Sequence, residues 1–174
     1  MRSKRWLFFW GLVCVAWSGG AVAQAEGGGA EALKWRVVDV SEEFRCFVKN
    51  WDVAEEPVMV RWIRSVDDWN ATLGAAARGL GVGKGGERPW IPEEAWFAGH
   101  SLVVVAWVTD LDGGQAVVER ADLGGGGEAT VLVRRRDGVE KQSFTRKEVL
   151  SVVLPAAGIE AVKVWVNGEP VGKR

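Results

Sequence analysis

The run Ser101 to Thr109, SLVVVAWVT, constrains this chain most, because it is rich in β-branched valine and bounded by Gly99-His100 before it and the Asp110 to Gly114 turn after it. A short apolar run between turn signals reads as a strand buried on both faces. Such a strand needs neighbours beside it and layers above and below. Further strand candidates supply them: Trp35 to Val40, Phe44 to Val48, Val58 to Ile63, Ala116 to Leu123, Thr130 to Arg136 and Ala161 to Val166. In Val58 to Ile63 the alternation sets Val58, Val60 and Trp62 against Met59, Arg61 and Ile63, the period of a half-buried strand. The four glycines Gly124 to Gly127 join two of the candidates into a hairpin.

One segment carries a helical signal. Ser65 is a good N-cap, Asp67 and Asp68 suit the positive end of the helix dipole, and Val66, Trp69, Leu73 and Leu80 recur at helical spacing until Gly79 and Gly81. The expected fold class is therefore α+β, a mostly antiparallel sheet with one principal amphipathic helix, Ser65 to Arg78, packed on it. Phe144 to Leu154 is ambiguous. Thr145 with Glu148 resembles a capping box, whereas Val149, Val152 and Val153 favour a strand.

The first residues read differently from the rest. Arg2, Lys4 and Arg5 precede the apolar stretch Trp6 to Trp17, and Ala21-Val22-Ala23 offers a small-x-small cleavage site, the pattern of a signal peptide over residues 1–23. Residues 24–33, rich in Gly, Ala and Glu, read as a flexible leader, and residues 34–174 as a single domain. The apolar stretch is shorter than the roughly 20 residues that span a bilayer, so no integral membrane span is expected after cleavage. Export places the chain in the periplasm or outside the cell.

Cleavage would remove three basic residues and leave a mildly acidic chain, which offers no basis for a nucleic-acid partner. Only Cys46 would remain of the two cysteines, so no internal disulfide is expected, and Cys46 reads as a small buried hydrophobe.

The motifs with chemical overtones are weak. Gly81 to Gly86 matches G-x-G-x-x-G but follows a helix rather than a strand, and Lys84 lacks the hydroxyl neighbour of a phosphate loop. Asp110-Leu111-Asp112-Gly113 has the opening of a calcium loop, yet the twelfth position is Ala121. His100 is the only histidine, which leaves little material for a nucleophile, base and acid triad. Neither a cofactor nor a metal is expected. The candidate site is instead a pair of loop indoles, Trp90 and Trp96, beside Glu93 and Glu94, able to anchor a protein or stack on sugar rings.

The order of these features resembles the C-terminal domain of PrcB-type bacterial protease-complex subunits. The likeness rests on the strand Val58 to Ile63, the helix start Ser65-Val66-Asp67-Asp68-Trp69, the loop to Ile91-Pro92, the Val-rich strand Ser101 to Trp107 and the paired Gly113-Gly114. It spans roughly Phe44 to Val166. Gln115 stands where that family has tyrosine, and Glu94 to Trp96 only loosely echoes its acidic-aromatic pair. The resemblance implies a non-enzymatic domain that binds or stabilises another exported protein, a protease among the candidates. Sequence alone thus points to an exported binding domain with a protein partner, and alternatively to a carbohydrate- or envelope-polymer-binding module using Trp90 and Trp96.

Overall fold

The computed structural model describes residues 30–40, 46–75 and 92–172. The stretch read as a signal peptide, most of that read as a leader, the glycine-rich loop with Trp90 and the last part of the expected helix lie outside them. In chain order the described elements are β1 (Glu31–Ala32), β2 (Arg36–Val38), β3 (Cys46–Val48), β4 (Val58–Ile63), α1 (Val66–Thr72), β5 (Leu73–Ala75), α2 (Glu94–Phe97), β6 (His100–Asp112), β7 (Gln115–Leu123), β8 (Glu128–Arg136), β9 (Glu140–Pro155), β10 (Ala161–Val166) and β11 (Glu169–Val171).

The apolar run forms the body of β6, and every residue from Ser101 to Trp107 is buried. β6 lies between β9 and β4, antiparallel to both, in a four-stranded sheet of order β2-β9-β6-β4. Alternation along β6 divides its side chains between two cores. Leu102, Val104 and Ala106 join Met59, Ile63, Trp69, Leu73 and Phe97 on one side. Val103, Val105 and Trp107 join Val118, Ala121, Val131, Val133 and Val164 on the other. The second core is closed by a five-stranded sheet of order β1-β7-β8-β10-β11, in which the β7–β8 hairpin turns at the four glycines and β10 runs parallel to β8. The first core is closed by α1, α2 and the small β3–β5 sheet.

Arg61 shares the face of the buried Met59 and Ile63, and its polarity is met there. Its guanidinium donates to both carboxylate oxygens of the buried Glu56, at 2.8 and 2.7 Å, while the Trp51 indole donates to the Glu56 carbonyl. A bidentate pair of this kind satisfies both charges in one geometry.

The fold class departs from the α+β expectation: the described chain is mostly β, in three sheets, with helices of only seven and four residues. α1 begins as expected, with the Ser65 hydroxyl accepting from the Asp68 N–H at 3.0 Å. It ends at Thr72, where Leu73 turns extended and residues 73–75 pair with Val48, Phe47 and Cys46. Backbone pairing overrides the period here. Leu73 is buried in the extended conformation, just as a helical stripe would bury it. Gly74 permits the change, since a Cβ there would come within 3.0 Å of the Phe47 ring.

Residues 144–154 are strand, within β9. Glu148 serves no helix cap, because its carboxylate accepts from Trp107 and Arg146. Glu31 and Ala32, inside the stretch read as leader, pair with Leu123 and Asp122 of β7.

Candidate functional site

β6 is 13 residues long, so its ends lie roughly 40 Å apart at the rise of an extended strand. The expected site stands at its first end. Glu93 and Glu94 are exposed at the start of α2, and the Glu93 side chain makes no capping bond. Trp96 is half-buried rather than free. It meets Phe97 edge-on at 5.0 Å, and His100 stacks over its ring, centroids 5.0 Å apart and planes inclined by 22°. The His100 Nδ1 lies 3.2 Å from the Trp96 carbonyl. Because that oxygen can only accept, Nδ1 carries the proton and Nε2 is left as the second polar atom of the ring. The structure thus brings Glu93, Glu94 and Trp96 into one turn, with Trp96 closing the first core; Trp90 lies outside the described residues.

The other end of β6 is built differently. Pairing with β9 runs in step to Thr109 opposite Arg146 and resumes at Leu111 opposite Lys141. One residue of β6, Asp110, therefore faces the stretch Gln142 to Thr145 of β9. Phe144, inside this bulge, is 60 % exposed, and Val139, in the bend just before β9, is 91 % exposed. Bulges of this kind re-aim side chains at a sheet edge.

Charged groups hold the bulge in place. Arg146, just past it, donates Nη1 to Asp112 of β6 at 2.6 Å and Nη2 to Glu148 at 2.8 Å. The other oxygen of Glu148 accepts from the Trp107 indole at 2.9 Å, and the Arg135 guanidinium sits 5.1 Å from the Trp107 ring centroid. Asp112 is thereby held below the ordinary carboxylate range, first by its bond from Arg146 and then by the Gly113 N–H. Arg146 is raised above its ordinary value, first by Glu148 and then by Asp112. The clamp spans both strands and ends on a buried indole. It fixes an exposed phenyl ring on a supported ribbon, the form of a contact anchor.

No family model, curated protein or solved structure matches this chain. The site therefore has to be judged on its own chemistry. Cys46 is buried, and burial raises its thiol above the ordinary value, against a smaller opposing pull from the Trp69 indole, so it stays protonated at neutral pH. Among the described residues no group of three His, Cys, Asp or Glu converges on a metal position. Among them, too, no helix is long and apolar enough to cross a membrane.

Sequence reasoning missed Phe144. The ring stands among polar residues, Gln142-Ser143-Phe144-Thr145, in a stretch with no clean alternation. An isolated aromatic inside a break of period was the available signal. Arg146 and Glu148, two apart, share one face of a strand but sit on different sides of a helix, so the ambiguity of this segment concealed the clamp.

Proposed function

We propose that this chain is an exported, non-catalytic domain that binds another exported protein, with Phe144 as the aromatic anchor of the contact. The observation that carries the reading is a phenyl ring 60 % exposed on a bulge that Arg146 ties to both strands. Exposing such a ring costs solubility, and holding it rigid lowers the entropy lost on binding. The resemblance to PrcB-type subunits points to the same class of partner. The signal-peptide pattern supports a periplasmic or secreted location.

The test is capture from the exported fraction of the source cells by the tagged mature chain, run beside Phe144→Ser. One exported protein recovered in near-stoichiometric amount, and lost with Phe144→Ser while the melting temperature is unchanged, is the expected result. Equal recovery by both chains, or recovery by neither, removes the proposal.

A further inference from the structure

Past the end of β2, a cavity of about 630 Å³ separates β9 from β3, with Lys147 and Val149 on one wall and Val48 and Lys49 on the other. We infer that this slot receives an extended peptide segment of the exported partner, paired through its backbone to both walls and acidic at its ends. The inference rests on the reading of the chain as a protein-binding domain and adds a second contact to Phe144, which stands three residues before Lys147 on the same strand.

The phase of the strand hydrogen bonds carries it. The Ala156 N–H donates to the Gly99 carbonyl at 3.1 Å, so between Arg146 and Ala156 the even-numbered residues of β9 direct their backbone groups at β6 and the odd-numbered ones away from it, toward β2. Val153 and Ser151 meet Arg36 and Val38 in this way. β2 then ends, and among the described residues nothing pairs with the outward N–H and C=O of Val149 and Lys147. On the facing wall the Lys49 N–H donates to the Thr72 carbonyl, which turns Lys49 and Phe47 toward β5 and Val48 toward the slot. The Cys46 N–H, directed the same way as that of Val48, donates to the Val40 carbonyl at 2.9 Å. β9 and β3 thus flank the line that β2 would follow if it continued, two ladder spacings or roughly 9–10 Å apart. One strand fits such a gap, and unpaired backbone donors and acceptors on both walls select a peptide over a small ligand.

Side chains set the character of the guest. Val40, Val48 and Val149 all belong to or pack on the first core, so every second residue of an inserted strand meets apolar surface. Among the described lining residues Lys49 and Lys147 stand against one acid, Asp39, and the resulting positive rim favours carboxylates at the ends of the guest.

The experiment is amide exchange and chemical-shift titration of the mature chain with the end-blocked peptide Glu-Val-Thr-Val-Thr-Val-Glu. In the free chain the amides of Lys147 and Val149 are expected to exchange much faster than those of the alternating Glu148 and Leu150. The peptide should slow them, shift the amide of Val48 and saturate at sub-millimolar concentration. N-methylation at alternate residues should weaken it about tenfold, the share of one or two backbone hydrogen bonds. The same peptide with lysine at both ends should bind less tightly, and Lys147→Glu, at an exposed position, should remove that preference. Slow exchange at Lys147 and Val149 in the free chain would mean that the chain itself fills the slot, and would overturn the inference. So would no binding up to millimolar peptide, equal affinity after N-methylation, or shifts confined to another strand edge. None of these outcomes bears on capture through Phe144, so the two readings fail separately.

Discussion

At His100 the central strand enters the molecule under a lid of aromatic rings, whereas at Asp112 it leaves on a ribbon held by charges. The first end is secured by burial: Phe97 is in the core, Trp96 packs edge-on against it, and His100 covers Trp96. The second is secured by directed bonds, since burial lessens beyond Trp107 and Arg146 takes over between Asp112 and Glu148. The Phe97–Trp96 packing holds no charge for protons or screening ions to act on; an exposed ionic clamp is sensitive to both. One strand thus has a permanent end and an adjustable end, and the adjustable one carries the exposed phenyl ring.

This contrast can be broken at several points. Phe97→Ala should lower the stability of the whole molecule by about 3–5 kcal/mol in urea denaturation, the cost of removing a buried aromatic; a loss below about 1 kcal/mol would show that the lid is not part of the core. Trp107→Phe deletes the N–H that Glu148 accepts and leaves part of a buried indole's volume unfilled, for a loss of about 2–4 kcal/mol. A change of that size places Trp107 where the two regimes meet.

Arg146→Gln should leave global stability nearly intact. Hydrogen exchange should then quicken at the amides of residues 140–141 and 146, which pair on either side of the bulge, with those of residues 102–105 unaffected, and uniform protection in the variant would count against the clamp.

Acid should act in the same place. The folded-state pKa of Asp112 is depressed, so its contribution is complete above the unfolded carboxylate value and is lost only as pH falls through the lower folded value. Protection factors at residues 140–141 and 146, which take out the intrinsic pH dependence of exchange, are therefore expected to hold at pH 5 and to fall only below the ordinary carboxylate range; a fall near neutrality would contradict the assignment. Phe144→Ser should change global stability by no more than about 0.5 kcal/mol, the smallest effect of all, while abolishing partner capture.

How much of this was legible depended on whether a signal was local. The double-sided burial of Ser101 to Trp107 followed from its unbroken apolar content, and the β7–β8 hairpin from its glycines. The Ser65 cap was readable because capping involves neighbours only three residues apart. The length of α1 was not, since Leu73 satisfies a helical stripe and a buried strand equally. Pairing with Cys46 to Val48, partners 25 to 29 residues away, decided the matter. The lid and the clamp show the same division. Glu93, Glu94 and Trp96 were found because they stand together in sequence. The Asp112–Arg146 bond joins residues 34 apart, in a segment whose period was itself uncertain. Val149 was read as favouring a strand, and only the ending of β2 at Val38 and the approach of β3 turn its edge into a slot.

The parallel pairing of β10 with β8 has a consequence for how the chain is assembled. Between these two neighbours the polypeptide leaves for the other sheet, runs the full length of β9 and comes back. The β7–β8 hairpin can close by itself during synthesis, yet β8 keeps a bare edge until β9 has been threaded beside β6 and β10 returns. Such long-range closure is slow, and an uncovered strand edge in the interval invites pairing with another molecule. A nascent chain that has reached only Pro155 would hold the whole first core, lack Ile159 and Val164 of the second, and still expose that edge, which makes β10 the cover that withholds β8 from self-association.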